Sequence, residues 1–189
     1  KLVVIYFDMA NIRQKNYKII LNSKILTRET RIEAFVKLGE FLKSNELRQS
    51  AFFDGVVHRN AWYTKANVLQ QIDAISTNLT EEKLDLWLRD APNHNLDKSV
   101  GLVLAGNLPL VGFHDIMSVI LVGFIAKIKV SSDDAGLTKF ILERLINIEP
   151  LLKERILSRL EVTIQRGILN IILVNNLISL EKTGIHFQY

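Results

Sequence analysis

VGLVLAGNLPLVGFHDIMSVILVGFIAKIKVSSDD, residues 100–134, decides how this chain folds. It opens with an apolar run of strand length, Val100 to Ala105, and breaks sharply at Gly106-Asn107-Leu108-Pro109. A long apolar segment that suits a buried helix follows. A second strand-like run, Ala126 to Val130, then ends in Ser131-Ser132-Asp133-Asp134. Strand, tight turn, helix and strand make a βαβ unit, because parallel strands need a crossover of this kind. Such units hold ligands at the carboxyl ends of their strands. Those ends are Gly106-Asn107 and Ser131-Ser132, so the site is expected there.

Towards the C-terminus, Leu137, Phe140, Ile141, Leu145 and Ile148 form the stripe of a further helix, with Ser132 or Asp133 expected to cap it. Pro150 ends or restarts that helix, Leu151 to Leu160 reads as its continuation, and Leu169 to Val174 (LNIILV) reads as a third strand. The fold class is therefore α/β: a partial doubly wound, Rossmann-like β-α-β-α-β unit over 99–175, followed by an unpatterned tail, 176–189.

Towards the N-terminus, residues 27–98 read as a helical region. Ile32, Phe35, Val36, Gly39 and Leu42 share one helical face behind a Thr27 cap. Phe52-Phe53-Asp54-Gly55 reads as a turn and Val56 to Asn60 as extended. Thr64 caps a helix from Lys65 to Ser76. Leu79-Thr80-Glu81-Glu82-Lys83-Leu84 is a further start, with Thr80 as cap, acids in the first turn, and Leu84, Trp87 and Leu88 as the buried stripe. Asp90 to Lys98 is the expected linker. Residues 1–26 carry a strand-like run, Leu2 to Phe7, and read either as an N-terminal strand and arm or as sequence upstream of a natural start.

Nearly half of the 189 residues (48 %) are apolar, which excludes a disordered chain. The formal charge of +4 suits an anionic ligand such as a nucleotide or coenzyme A, while the lack of a Lys/Arg block argues against nucleic acid. With no cysteine there is no disulfide, thiolate metal site or thiol nucleophile within the chain. His58, His94 and His186 have no metal-ligand spacing, so no metal is expected. Leu2 to Phe7 is too short for a secretory signal, and Ile116 to Ala126 falls well below the ~20 residues of a membrane span. A buried core helix and a cytoplasmic location are expected.

Three polar features of the central stretch carry potential chemistry. The Asn107 amide can donate to an oxyanion, as carbonyl chemistry requires, or bond its own backbone as turn asparagines do. Lys129, with Ser131 and Ser132 after it, can serve a ribose or phosphate. It can equally be a strand lysine reaching solvent beside capping serines, as can Lys127. His114-Asp115 lacks the G-x-S-x-G elbow of a hydrolase and reads as helix-start polarity. No G-x-G-x-x-G and no P-loop is present.

The stretch LVLAGNLPLVGFHDIMSVILVGFIAKIKVSSDD resembles the long-chain acyl-CoA reductases of the LuxC type, within the aldehyde dehydrogenase superfamily. RIEAFVKLGEFL, RNAWYTKANV and NLTEEKLDLWL resemble the helical N-terminal region of that family, so the likeness runs from about Arg28 to Ile156. It implies NADPH-dependent reduction of a fatty acyl-CoA thioester to an aldehyde. Asn107 is then the oxyanion donor, Ala105 and Gly106 lie along the cofactor, Lys129 reaches the adenosine ribose, and Ser131 and Ser132 leave room for the 2′-phosphate. The chain departs from the family in having no nucleophilic cysteine and no Gly-Ser turn after the third strand, where only Asn175-Asn176 echo the pattern. A truncated or frame-shifted copy is the expectation. The alternative is a non-catalytic nucleotide- or acyl-CoA-binding remnant, or a subunit that works as a homo-oligomer or with a partner chain.

Overall fold

Short side chains with a hydroxyl start most of the helices, each by accepting an N–H three residues on. In the computed structural model, which describes residues 26–91, 93, 99–158 and 171–172, Thr27 caps α1 (Arg28–Lys43) by accepting from Thr30 N–H. Ser44 does the same for the short α2 (Asn45–Arg48). After α3 (Phe52–Arg59), Thr64 caps α4 (Lys65–Asn78) and Thr80 caps α5 (Glu81–Trp87). Such caps contribute about 1 kcal/mol each.

α3 corrects the sequence reading. Phe52 to Gly55 is not a turn and Val56 to Asn60 is not extended. The segment is helical because Phe53 and Val56, 1 % and 0 % exposed, anchor one face in the core. That burial outweighs the roughly 1 kcal/mol disadvantage of Gly55 inside a helix.

The α/β unit follows as β1 (Ser99–Val103), α6 (Phe113–Val122), β2 (Ile125–Lys129), α7 (Leu137–Ile148), β3 (Ile156–Ser158) and β4 (Ile171–Ile172). Among the described residues all pairings are parallel, in the order β3-β2-β1-β4. The third strand therefore lies at Ile156–Ser158, inside what reads locally as a continuing helix. Pro150 starts only a 3-10 turn, Pro150–Glu154, and Ile156 is drawn into the sheet beside Ala126. Of the expected strand at Leu169–Val174 the described residues are Ile171–Ile172, which form the fourth strand and pair to the other side of β1 through Gly101–Ile171 and Leu102–Ile172. The readings at Leu2–Phe7 and Asn175–Asn176, and most of the expected linker, lie outside the described residues.

One face of the sheet, with Leu102, Ala126, Ile128 and Ile156, is buried. The opposite face presents Val103, Leu157, Lys127 and Lys129, all exposed. α6 is buried along most of its length, with Ile116 and Ile120 at 0 % exposure, so its apolar run is core. Among the described residues no helix is long and apolar enough to cross a membrane.

α1 packs its Ile32, Phe35, Leu38 and Leu42 into the same core, the Phe35 ring meeting Phe113 edge-on at 6.3 Å. Gly39 allows α1 to approach the end of α4, where a Cβ would stand 2.7 Å from Leu79 O. The C-terminus of α6 is closed by Gly123 in the left-handed region (φ 102). Two guanidiniums donate to its last carbonyls, Arg31 Nε to Leu121 O and Arg155 Nη1 to Gly123 O. Positive charge there complements the helix dipole.

Candidate functional site

The strand order reverses at β1, where β2 lies on one side and β4 on the other. In open α/β sheets the crevice outside the carboxyl ends at such a reversal is where ligands bind. The loop leaving β1 carries Ala105, Gly106 and Asn107, and the loop leaving β2 carries Ser131 and Ser132. Leu104 N–H donates to Lys129 O at 2.9 Å, which starts the two loops side by side.

Gly106 then brings them together. It is buried, and a Cβ there would lie 2.8 Å from both Asp134 N and Ser131 Cβ. Asn107 and Ser132 are exposed at this edge, and Ser131 is half-buried. Lys129 projects from the exposed face of β2, as does Lys127. Ser131 caps the 3-10 turn Ser132–Asp134 by accepting from Asp133 N–H. Neither Ser132 nor Asp133 caps α7, contrary to the sequence reading. Gly136 stands at that position without a side-chain bond, and the Asp134 carboxylate accepts from both Thr138 N–H and Thr138 Oγ1 instead.

A third segment, Arg59 to Tyr63, holds both loops. The Tyr63 hydroxyl donates to Gly106 O at 2.7 Å, Asn60 Nδ2 to Asp133 O at 2.7 Å, and Arg59 Nε to Ala135 O at 2.8 Å. Burial, then the charges of Asp134 and Asp133, push the Tyr63 pKa up to about 12, so the phenol remains a donor at any physiological pH. With Gly106 C=O held by Tyr63, the trans peptide plane turns the Asn107 N–H the opposite way. Asn60 Oδ1 also accepts from Trp62 N–H, and the Trp62 indole stands 87 % exposed beside this junction. Among the described residues, the non-glycine residues with positive φ are Leu110 (54°) and Ala135 (55°), one in each strand-end loop. Backbone strain of this kind costs of order 1–3 kcal/mol and clusters at functional sites.

No local pattern in the sequence marks Arg59, Asn60 and Tyr63 for this role. Their carbonyl partners lie 43 to 76 positions away, beyond any local rule.

The profile of the acyl-CoA reductase (LuxC) family matches residues 57–165, more than half of the 189-residue chain. The chain belongs to this family. No curated protein sequence matches it. The LuxC span contains all three clamp residues and both strand-end loops, whereas the resemblance of RIEAFVKLGEFL lies ahead of it. Among the described residues of this LuxC-family chain, no group of three or more His, Asp or Glu is placed to hold a metal ion.

His114 and Asp115 part company in the fold. The His114 ring lies edge-on to Trp87 at 5.6 Å, and loss of hydration lowers its pKa. Asp115 is 6 % exposed in the first turn of α6, and burial pushes its carboxyl up to about 6 from 3.8. A pKa raised on folding makes this group most favourable to the native state below the unfolded value, and the contribution is lost as pH rises through about 6. Asp115→Asn should therefore be more stable than the parent at pH 7.5, by up to about 3 kcal/mol, and no more stable near pH 4. The helix dipole offsets part of that gain. Melting temperatures of both proteins at the two pH values check it.

Proposed function

We propose that this chain forms the cofactor-binding strand ends and the oxyanion donor of an NADPH-dependent reduction of long-chain fatty acyl-CoA to aldehyde. The observation that carries this reading is the close approach of the Gly106 and Ser131–Asp134 loops where the strand order reverses. It gathers an exposed ammonium, two hydroxyls and a side-chain amide at one edge of the sheet.

This donor set suits a dinucleotide. Lys129 is the donor for the adenosine ribose, Ser131 and Ser132 accommodate the 2′-phosphate, and Ala105 and Gly106 line the backbone approach. Asn107 directs its amide to the acyl oxygen, where negative charge develops. The cofactor, when bound, supplies the hydride. The Arg59–Asn60–Tyr63 clamp holds both loops in place.

The chain contains no cysteine, so an acyl-enzyme thioester cannot form on its own side chains. That absence favours a second reading, a nucleotide- or acyl-CoA-binding protein that pairs with a separate catalytic chain.

Both readings require cofactor binding. NADPH at 100-fold over its Kd should stabilise the chain by about 2.7 kcal/mol, seen as a rise in melting temperature. Lys129→Ala should reduce that rise, and NADH should give a smaller one than NADPH because Ser131 and Ser132 stand where the 2′-phosphate goes. A melting temperature unmoved by millimolar NADPH would overturn the cofactor assignment. Turnover of long-chain acyl-CoA above background by the purified chain would overturn the binding-only reading.

A further inference from the structure

The chain holds two tryptophans, and the fold treats them differently. Trp87 packs against the core, its ring edge-on to His114 at 5.6 Å. Trp62 is 87 % exposed, and among the described residues no other Trp, Tyr or Phe is exposed. Among those residues its indole makes no ring contact, cation–π contact or hydrogen bond. A lone exposed apolar side chain needs no special cause. What sets this one apart is how firmly its backbone is held, and by what.

Asn60 to Tyr63 is a β-turn, closed by Tyr63 N–H donating to Asn60 O at 3.0 Å. Asn60 Oδ1 accepts from Trp62 N–H at 2.9 Å, a second lock of the kind that turn asparagines make. The same side-chain amide donates from Nδ2 to Asp133 O at 2.7 Å. One amide group therefore separates the Trp62 N–H from the loop that leaves β2. On its other side Trp62 is joined to Tyr63, whose hydroxyl holds Gly106 O in the loop that leaves β1. Trp62 thus stands between two anchors, one to each strand-end loop. A ring displayed on such a backbone loses little entropy when it engages a ligand, since only two χ angles remain free.

We propose that the Trp62 indole is the stacking platform for the adenine ring of the bound nucleotide. The inference rests on the functional reading above and adds the residue that holds the base. In that reading Lys129, Ser131 and Ser132 serve the adenosine ribose and its 2′-phosphate. The purine is bonded to that same ribose, so it lies near Ser132 and Asp133, and Trp62 is the exposed aromatic fixed to Asp133. An indole suits a purine because stacking needs a flat face and no pattern of donors and acceptors. Such a contact strengthens binding by about tenfold per base. NADPH and coenzyme A both carry adenine, so either can supply the ring.

Titration of the full chain with NADPH, coenzyme A and reduced nicotinamide mononucleotide, which lacks adenine, tests the proposal. Because the side chain is exposed, Trp62→Ala and Trp62→Tyr should melt with the parent when no ligand is present. Trp62→Ala should weaken NADPH or coenzyme A, whichever supplies the ring, by about tenfold. Trp62→Tyr should recover most of that loss, since a phenol ring also stacks, and the mononucleotide should bind all three proteins equally. In Trp87→Phe, where Trp62 is the remaining tryptophan, the same nucleotide should quench the emission. The proposal is overturned if Trp62→Ala binds both adenine ligands as tightly as the parent. It is equally overturned if the mononucleotide is weakened by the same factor, which would mean that the turn acts through the loops alone. Emission that falls with protein concentration, without nucleotide, would assign Trp62 to a contact between chains instead. If neither NADPH nor coenzyme A binds the parent, the functional reading falls as well.

Discussion

Gly106→Ala is expected to destabilise the chain by about 3 kcal/mol and to remove its response to NADPH. A Cβ at position 106 would sit 2.8 Å from Asp134 N and 2.9 Å from Asp133 C. Both are backbone atoms, which cannot rotate aside, and Ser131 Cβ at 2.8 Å blocks the remaining direction. The two strand-end loops must therefore separate. Separation also stretches the bonds that Tyr63 and Asn60 make to Gly106 O and Asp133 O, each worth about 1 kcal/mol. Urea denaturation of parent and variant, with and without NADPH, measures both effects. An unchanged midpoint together with an unchanged cofactor response would mean that the loops do not meet in solution as described.

Arg31→Met should cost more, about 4 kcal/mol, a large fraction of the 5–15 kcal/mol that holds an ordinary domain together. Arg31 is 2 % exposed in the first turns of α1. Its guanidinium donates to Leu121 O at 3.3 Å, Leu26 O at 3.2 Å and Asn93 Oδ1 at 2.9 Å. Burial, then the neighbouring Arg155 and Arg28, lower its pKa to about 10, so it is still charged at pH 7. Methionine fills much of the same volume but leaves three acceptors without this donor, two of them backbone carbonyls. Arg31→Lys should fall between parent and methionine variant, because one ammonium cannot serve three acceptors that diverge as a guanidinium's do. Thermal or urea unfolding of the three proteins gives the order. A methionine variant as stable as the parent would show that the α1–α6 junction is held by packing alone.

These two positions mark where local reading of the chain reaches its limit. Read without coordinates, Thr27, Thr64 and Thr80 already announce their helices, since a cap and its N–H partner lie three residues apart. The β1–turn–α6–β2 order is equally plain, because apolar runs of strand and helix length flank Gly106-Asn107-Leu108-Pro109. The edge of the sheet where a ligand should sit follows from that order, and so do Asn107, Lys129, Ser131 and Ser132 as its polar groups.

Distance in the chain hid the remainder. Phe52–Arg59 is helical because Phe53 and Val56 find a core that residues far along the chain complete. Ile156–Ser158 is a strand because β2 supplies its hydrogen bonds, although Leu151 to Leu160 reads locally as helix. Arg31 sits one position from the apolar stripe of α1 and looks like a solvated charge until Leu121, 90 residues on, is brought against it. The Arg59–Asn60–Tyr63 clamp reaches the two loops through backbone carbonyls, which every residue possesses, so no side-chain pattern in the sequence marks those partners. Capping and strand–helix alternation depend on neighbours within a few residues and are written in the residues themselves. The clamp and the buried guanidinium depend on which distant backbones the fold brings together, and only the tertiary structure decides that.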